Sequence, residues 1–309
     1  MTESKTPILA ATDFSQHGQW AVLRAAHLAR QRGGSLRLLH AIEDQASWAL
    51  WRQWFGSDSE VGDVDQVDRA RQRLQETSQG VSRQFGIDVE CHVETGSAVQ
   101  HILHAQMGCD LVVIGAQGHS AAKDFLLGTT ADRLSRKSTV SVLVVRTEPV
   151  GDYLKVLVPF DFSPDADAAL ERASSMAPQA SLQILHACQL DDEGKLRMAG
   201  VDEARIEQHR ERYRVRARSE IKTAIGSLGR RSDEVAVILG SGSPALTTLE
   251  YAERAGVDLI ALGKHGRSLI EDTLLGSVTR HVLADAACDV MVVPTLARPP
   301  GARARRFGP

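Results

Sequence analysis

An internal repeat constrains the fold of this chain more than any other feature. The sequence ILAATDFS at 8–15 returns as VLVPFDFS at 156–163, so Asp13 and Asp161 lie 148 residues apart. Other matching pairs are LHA at 39–41 and 185–187, DLVVIG at 110–115 and DLIALG at 258–263, and VLVV at 142–145 and VMVV at 290–293. A period of this length is far too long for a solenoid and indicates a duplicated domain. We predict domains at 1–148 and 149–297, followed by a basic, disordered tail at 298–309.

Each half alternates short apolar runs with amphipathic stretches. In the first half the runs predict strands at 7–12, 35–42, 87–93, 110–115 and 140–146, and the stretches predict helices at 16–32, 64–84, 98–107 and 129–137. Strands that alternate with helices form parallel βαβ units with right-handed crossovers. The predicted class is therefore α/β, with two tandem doubly wound, Rossmann-like domains. We expect a five-stranded parallel sheet of order 3-2-1-4-5 in each.

The fifth strands are apolar and would be edge strands in isolated domains. Unpaired edges of this kind favour association with another edge. Because the chain has two of them, we predict that they pair and make an internal pseudo-dimer.

Composition excludes several classes of protein. The 309 residues carry a formal net charge of −3, which argues against a nucleic-acid-binding protein. No apolar stretch approaches the length that spans a membrane, and the first residues do not resemble a signal peptide. The four cysteines are scattered without a CxxC pair, as expected for reduced thiols. We therefore expect a cytoplasmic protein without membrane or nucleic-acid partners.

The candidate site is a glycine-rich loop that has the same spacing in both halves. Open α/β sheets bind ligands at the carboxyl ends of strands, beside the point where the strand order reverses. Asp13 and Asp161 close the first strands, and a loop follows each fourth strand. Its residues are Gly115, Gly118, Gly128 and Thr129 in the first half, and Gly263, Gly266, Gly276 and Ser277 in the second.

These residue types suit an anion, because glycine lets backbone amides approach closely and a helix N-terminus attracts phosphate. We expect Thr129 and Ser277 to be helix N-caps. The alternative is that the glycines only form tight turns and the hydroxyls only cap helices. His40 and His186 also recur, and we expect them to be packed and hydrogen-bonded.

The pattern G-x2-G-x9-G-[S/T] resembles the nucleotide-binding loop of the universal stress protein family. The resemblance extends over nearly the whole chain and includes Asp-Phe-Ser, Leu-His-Ala and the closing aliphatic strand. It implies that the protein binds ATP, with the loop glycines, Thr129 and Ser277 around ribose and phosphates. It also implies that Asp13 and Asp161 approach the ribose or adenine and that Ala41 and Ala187 border the adenine. Either aspartate could help to hold Mg²⁺.

The two loops differ in charge. The second contains Lys264, His265 and Arg267, where the first has Ala116, Gln117 and His119. Because positive charge attracts a triphosphate, we expect the second half to bind ATP more tightly, with His265 among its ligands.

Three functions remain open at the level of sequence. The main hypothesis is a regulator in the stress response, since two loops are present without a recognisable catalytic set. The alternatives are slow ATP hydrolysis and an interaction scaffold in which nucleotide is only structural. The sequence does not decide between ATP and other adenine nucleotides, identify a protein partner or exclude a homo-oligomer. The aromatic cluster Trp48, Trp51, Trp54 and Phe55 is either a flap on its own domain or a partner surface.

Overall fold

A computed structural model of the chain describes residues 6–42, 62–118, 127–188, 193–229, 231, 233–266 and 274–295. The aromatic cluster from Trp48 to Phe55 and the predicted tail at 298–309 lie outside these residues. The chain divides into two compact units, Met1–Asp152 and Tyr153–Pro309.

The first unit alternates strands and helices. Its elements are β1 (Ile8–Ala11), α1 (Gln16–Arg32), β2 (Leu36–Ile42), α2 (Gly62–Phe85), β3 (Val89–Thr95), α3 (Ala98–Ala105), β4 (Leu111–Gly115), α4 (Thr129–Lys137) and β5 (Ser141–Val145). The elements predicted from the sequence agree with these to within about two residues at each end.

The described part of the second unit repeats this plan and includes a short helix before its long helix. Its elements are β6 (Lys155–Pro159), α5 (Pro164–Met176), β7 (Ser181–Cys188), α6 (Glu193–Met198), α7 (Glu203–Ser227), β8 (Ala236–Ser241), α8 (Pro244–Ala255), β9 (Leu259–Gly263), α9 (Ser277–Asp285) and β10 (Asp289–Val293).

The strand orders confirm the predicted fold class. Within the first unit the order is β3-β2-β1-β4-β5, and within the second it is β8-β7-β6-β9-β10. Neighbouring strands inside each unit pair in parallel; Ile8, for example, lies opposite both Leu36 on β2 and Leu111 on β4. The first strand of each unit is thus central, and the order reverses between it and the fourth strand.

The core of each unit lies on its central strands. Strands β5, β9 and β10 are buried along their whole length, and β4 is buried except at its last residue. Complete burial of parallel strands requires helices on both faces, which explains why their sequences are nearly continuous aliphatic runs.

The first helix of each unit packs on the strands that border the reversal, α1 on β1 and β4 and α5 on β6 and β9. Helix α1 begins after Ser15, whose side chain accepts a hydrogen bond from Gly18 N. It ends at Gly33, which has a left-handed φ of 61°. The N-terminus of this helix is therefore fixed beside the end of β1.

Within the described residues, no helix has the length and apolarity needed to cross a membrane. The same residues contain no cluster of three or more metal-binding side chains.

Candidate functional site

The chain leaves the first strand of each unit through an unusual turn. Phe14 and Phe162 have positive φ angles of 64° and 66°, and they are the only non-glycine residues of the described chain that do. For a bulky side chain this conformation costs about 1–3 kcal/mol. Such a cost persists only where the surroundings hold the residue in place.

A histidine on the next strand supports this turn. The Phe14 ring lies 4.4 Å from the His40 ring, and the Phe162 ring lies 4.7 Å from His186. His40 Nδ1 is 2.8 Å from the carbonyl oxygen of Thr12, and His186 Nδ1 is 2.7 Å from that of Phe160. Because a carbonyl only accepts, each Nδ1 carries a hydrogen. The expectation that both histidines are packed and hydrogen-bonded is confirmed.

The turn fixes the carboxylates of Asp13 and Asp161. Oδ1 of Asp13 accepts from the Ser15 amide at 3.0 Å, and Oδ1 of Asp161 accepts from the Ser163 amide at the same distance. A side chain held by the amide two residues ahead is an Asx turn. Each aspartate is therefore pinned at the carboxyl end of the strand beside the reversal.

The second glycine of each loop abuts this carboxylate. A Cβ added to Gly118 would lie 2.6 Å from Asp13 Oδ2, and one added to Gly266 would lie 2.9 Å from Asp161 Oδ2. Both distances are shorter than any normal carbon–oxygen contact. The loop backbone can approach the carboxylate only because these residues have no side chain.

The first glycine of each loop has a different partner. A Cβ on Gly115 would lie 2.7 Å from the carbonyl carbon of His17, and one on Gly263 would lie 2.6 Å from that of Asp165. His17 and Asp165 are in the first turns of α1 and α5. Gly115 and Gly263 therefore let these helices pack against the ends of β4 and β9.

The third glycine of each loop is hydrogen-bonded to the residue that follows the first glycine. Gly128 N donates to Ala116 O at 2.7 Å, and Gly276 N donates to Lys264 O at 2.9 Å. The prediction that Thr129 and Ser277 are N-caps is wrong, because they are the first residues of α4 and α9 and the N-caps are Gly128 and Gly276. A glycine cap has no side chain to offer, so no side chain caps these helices. Amides in the first turn remain to be satisfied from outside the helix.

Ala41 and Ala187 lie on the second strands, at the same edge of the sheets. Thr12 N donates to Leu39 O at 2.9 Å and Phe160 N donates to Leu185 O at 2.8 Å, so each alanine stands beyond the end of the first strand. Both residues are half-buried. The structure thus brings the predicted residues of each unit to one edge of its sheet.

The two loops differ more than their sequences suggest. Lys264 is 8% exposed, so its position is largely buried. His265 pairs with Asp165, a residue that the sequence analysis did not select; its ring nitrogen Nδ1 lies 3.2 Å from Asp165 Oδ2. His17 occupies the position of Asp165 in the first unit. His119 and Arg267 lie outside the described residues.

The charge of the side chain also differs between His17 and Asp165, which occupy equivalent positions in the two units. Burial lowers the pKa of His17 from its ordinary value, and the nearby positive charge of Arg146 lowers it further, whereas Asp13 acts in the opposite direction. The first unit therefore has an imidazole that resists protonation where the second has a carboxylate.

Sequence reasoning did not identify the phenylalanines as site residues. The available signal was the repetition of Asp-Phe-Ser with its aromatic residue intact in both halves.

The fold and the site define a tandem α/β protein with a glycine-rich loop at the carboxyl edge of each sheet. The model of the universal stress protein family matches residues 6–146 and 152–294, which is most of the chain. The chain belongs to the universal stress protein family.

Individual relatives agree with this assignment. A universal stress protein of Mycolicibacterium smegmatis is 26% identical over 305 residues, covering 95% of this chain and 99% of the relative. A putative universal stress protein of Staphylococcus haemolyticus is 28% identical over 165 residues, covering 51% of this chain and 90% of the relative. The crystal structure of a universal stress protein from Archaeoglobus fulgidus has a TM-score of 0.64 and 22% identity, covering 94% of this chain and 98% of that one. The last likeness concerns the fold alone.

Proposed function

We propose that this protein binds ATP at the glycine-rich loop of one or both units and acts as a regulator in the stress response. The observation that carries the proposal is the close approach of a loop glycine to each pinned aspartate. Asp13 with Gly118, and Asp161 with Gly266, repeat this arrangement in the two units. The repetition of one close approach in both units favours a ligand over a simple turn.

The groups at the carboxyl end of each sheet suit a nucleotide. A carboxylate at the end of the first strand can accept hydrogen bonds from ribose hydroxyls. The first turns of α4 and α9 offer backbone amides and the positive end of a helix dipole, which suit phosphate oxygens. Ala41 and Ala187, whose side chains are short, would border the base beside the second strand. Asp13 and Asp161 would also be the residues to hold Mg²⁺ with the phosphates.

A cytoplasmic location follows from the same proposal. Cys91, Cys109, Cys188 and Cys288 are not joined in disulfides, which fits a reducing compartment. ATP occupancy would then bias a conformation that a protein partner recognises.

The test is the nucleotide content of the purified full-length protein. The protein is denatured and the released small molecules are separated by anion exchange; ATP, ADP, AMP and cyclic AMP are then added back to stripped protein in equilibrium dialysis. We expect up to two ATP per chain. A stripped chain that binds no adenine nucleotide would refute the proposal.

Matched alanine variants assign the sites. Gly118→Ala and Gly266→Ala introduce a Cβ against a carboxylate, and each should remove about one ATP. Gly80→Ala and Gly226→Ala make the same chemical change on exposed helix positions where a Cβ would meet nothing within 4 Å. These controls should bind as wild type does. Loss of ATP in the controls as well would show that the binding loss does not come from the loop.

A further inference from the structure

A buried carboxylate of the second unit gathers partners from distant parts of the chain. Asp165 is the second residue of α5, and it is 8% exposed. Its Oδ2 accepts from the backbone amide of His265 at 2.8 Å and lies 3.2 Å from His265 Nδ1. Its Oδ1 accepts from the hydroxyl of Thr295, just after β10.

This arrangement exceeds what a helix terminus requires. An acidic residue in the first turn of a helix is favourable because of the helix dipole, and it normally lies in solvent. Asp165 is instead buried, and its partners are 100 and 130 residues away in the chain. Three hydrogen bonds therefore tie the second loop and the end of β10 to the N-terminus of α5.

The first unit has no equivalent carboxylate. Aligning the repeat places His17 opposite Asp165 and Gln117 opposite His265. The glycines and the aspartate of the two sites are the same residue types and make matching contacts. The contacts of Asp165 are thus a difference between two otherwise matching sites.

The contacts among Asp165, His265 and Thr295, here called the clamp, occupy one ring nitrogen of His265 and leave the other outside the pair. A carboxylate only accepts hydrogen bonds, so Nδ1 carries the hydrogen that points to Asp165. The other ring nitrogen, Nε2, is buried and has no hydrogen-bond partner among the described residues. A buried polar atom without a partner is unfavourable, and a ligand atom at this position would supply the missing interaction.

We propose that Asp165 is a positioning residue that holds His265 so that Nε2 contacts a phosphate of the nucleotide at the second loop. This inference rests on the proposed function, since His265 stands between Gly263 and Gly266 of the candidate phosphate loop. As an imidazolium, His265 donates from Nε2 to a phosphate oxygen while Nδ1 donates to Asp165. The second site therefore distinguishes ligands by their phosphates more strongly than the first site, which has Gln117 in place of His265.

The test compares ATP with adenosine in equilibrium dialysis on the full chain. His265→Gln gives the second loop the residue of the first. It should weaken one ATP site about 10-fold, which corresponds to about 1.4 kcal/mol, and leave adenosine binding unchanged. Asp165→Asn should weaken ATP at the same site in the same direction, because an amide holds the ring less firmly than a carboxylate.

A transplant gives the reciprocal result. The double variant His17→Asp with Gln117→His builds the pair into the first unit and should strengthen the weaker ATP site, whereas Gln117→His alone should not. Circular dichroism establishes that each variant is folded. If Asp165→Asn does not fold, His265→Gln and the transplant decide the matter.

The outcomes are distinct. An unchanged ATP isotherm for His265→Gln would overturn the inference, as would equal weakening of ATP and adenosine, which indicates a purely structural role. A wild-type chain that binds no nucleotide would refute the proposed function itself. Two ATP per wild-type chain with no effect of His265→Gln would refute only the role of the clamp.

Discussion

Gly115→Ala tests whether the first loop glycine serves helix packing. The added Cβ would lie 2.7 Å from the His17 carbonyl carbon and 2.8 Å from its carbonyl oxygen. Ordinary contact requires a displacement of about 0.7 Å, and α1 cannot make it alone because it packs on both β1 and β4. We expect a destabilisation near the upper end of over-packing effects, about 3 kcal/mol.

The assay is thermal and urea unfolding of the full chain, followed by circular dichroism at 222 nm. For a unit of this size, 3 kcal/mol lowers Tm by about 10 °C. Gly80→Ala is the matched control: it lies on the exposed side of α2, and alanine there should stabilise the helix by about 0.5–1 kcal/mol. Gly118→Ala should be destabilised less than Gly115→Ala, because the atom it meets belongs to a side chain.

Equal stability of Gly115→Ala and Gly80→Ala would refute the reasoning. It would mean that the first turn of α1 moves freely and that the glycine is not required for packing. Normal stability combined with lost ATP binding would instead assign Gly115 to the ligand.

Three further predictions concern other parts of the chain. Because the pKa of His17 is lowered in the folded state, the unfolded chain takes up the proton first, so stability should fall as pH drops below about 6.5; urea midpoints at pH 7.5 and 5.5 should change less in His17→Gln. The buried hydroxyl of Tyr153 donates to Asp289 at 2.6 Å, and Tyr153→Phe should cost about 1–3 kcal/mol; a double-mutant cycle with Asp289→Asn that gave additive losses would contradict this. Finally, if the fifth strands pair as the sequence predicts, fragments 1–152 and 153–309 should associate when mixed. Two stable monomers in analytical ultracentrifugation would contradict that prediction.

The fold was accessible from the sequence because its signals are local and repeated. Most strands of the first unit appear as short apolar runs, although β3 does not, and the helices carry apolar residues at helical spacing. Because the two halves repeat, the prediction for a segment in one half could be compared with the matching segment in the other. The strand order was an expectation for a doubly wound sheet, and no local residue pattern fixes it.

The site was accessible only in part. Glycine spacing marked Gly118 and Gly266, but their contact with a carboxylate depends on two segments about 100 residues apart. The N-cap prediction for Thr129 was wrong because the preceding glycine already has the extended conformation of a cap. The partnership of Asp165 with His265 was not visible, since an acidic residue in a first turn has an ordinary local explanation.

The strained turn at Phe14 and Phe162 bears on protein engineering. A designer who grafted only the glycine loop onto another parallel sheet would obtain the spacing without the aimed carboxylate. The transferable module is larger: it comprises Asp-Phe-Ser, the histidine on the neighbouring strand and the loop together. A scaffold that could not supply the aromatic–imidazole buttress would relax the phenylalanine to a right-handed conformation and turn the carboxylate away from its loop.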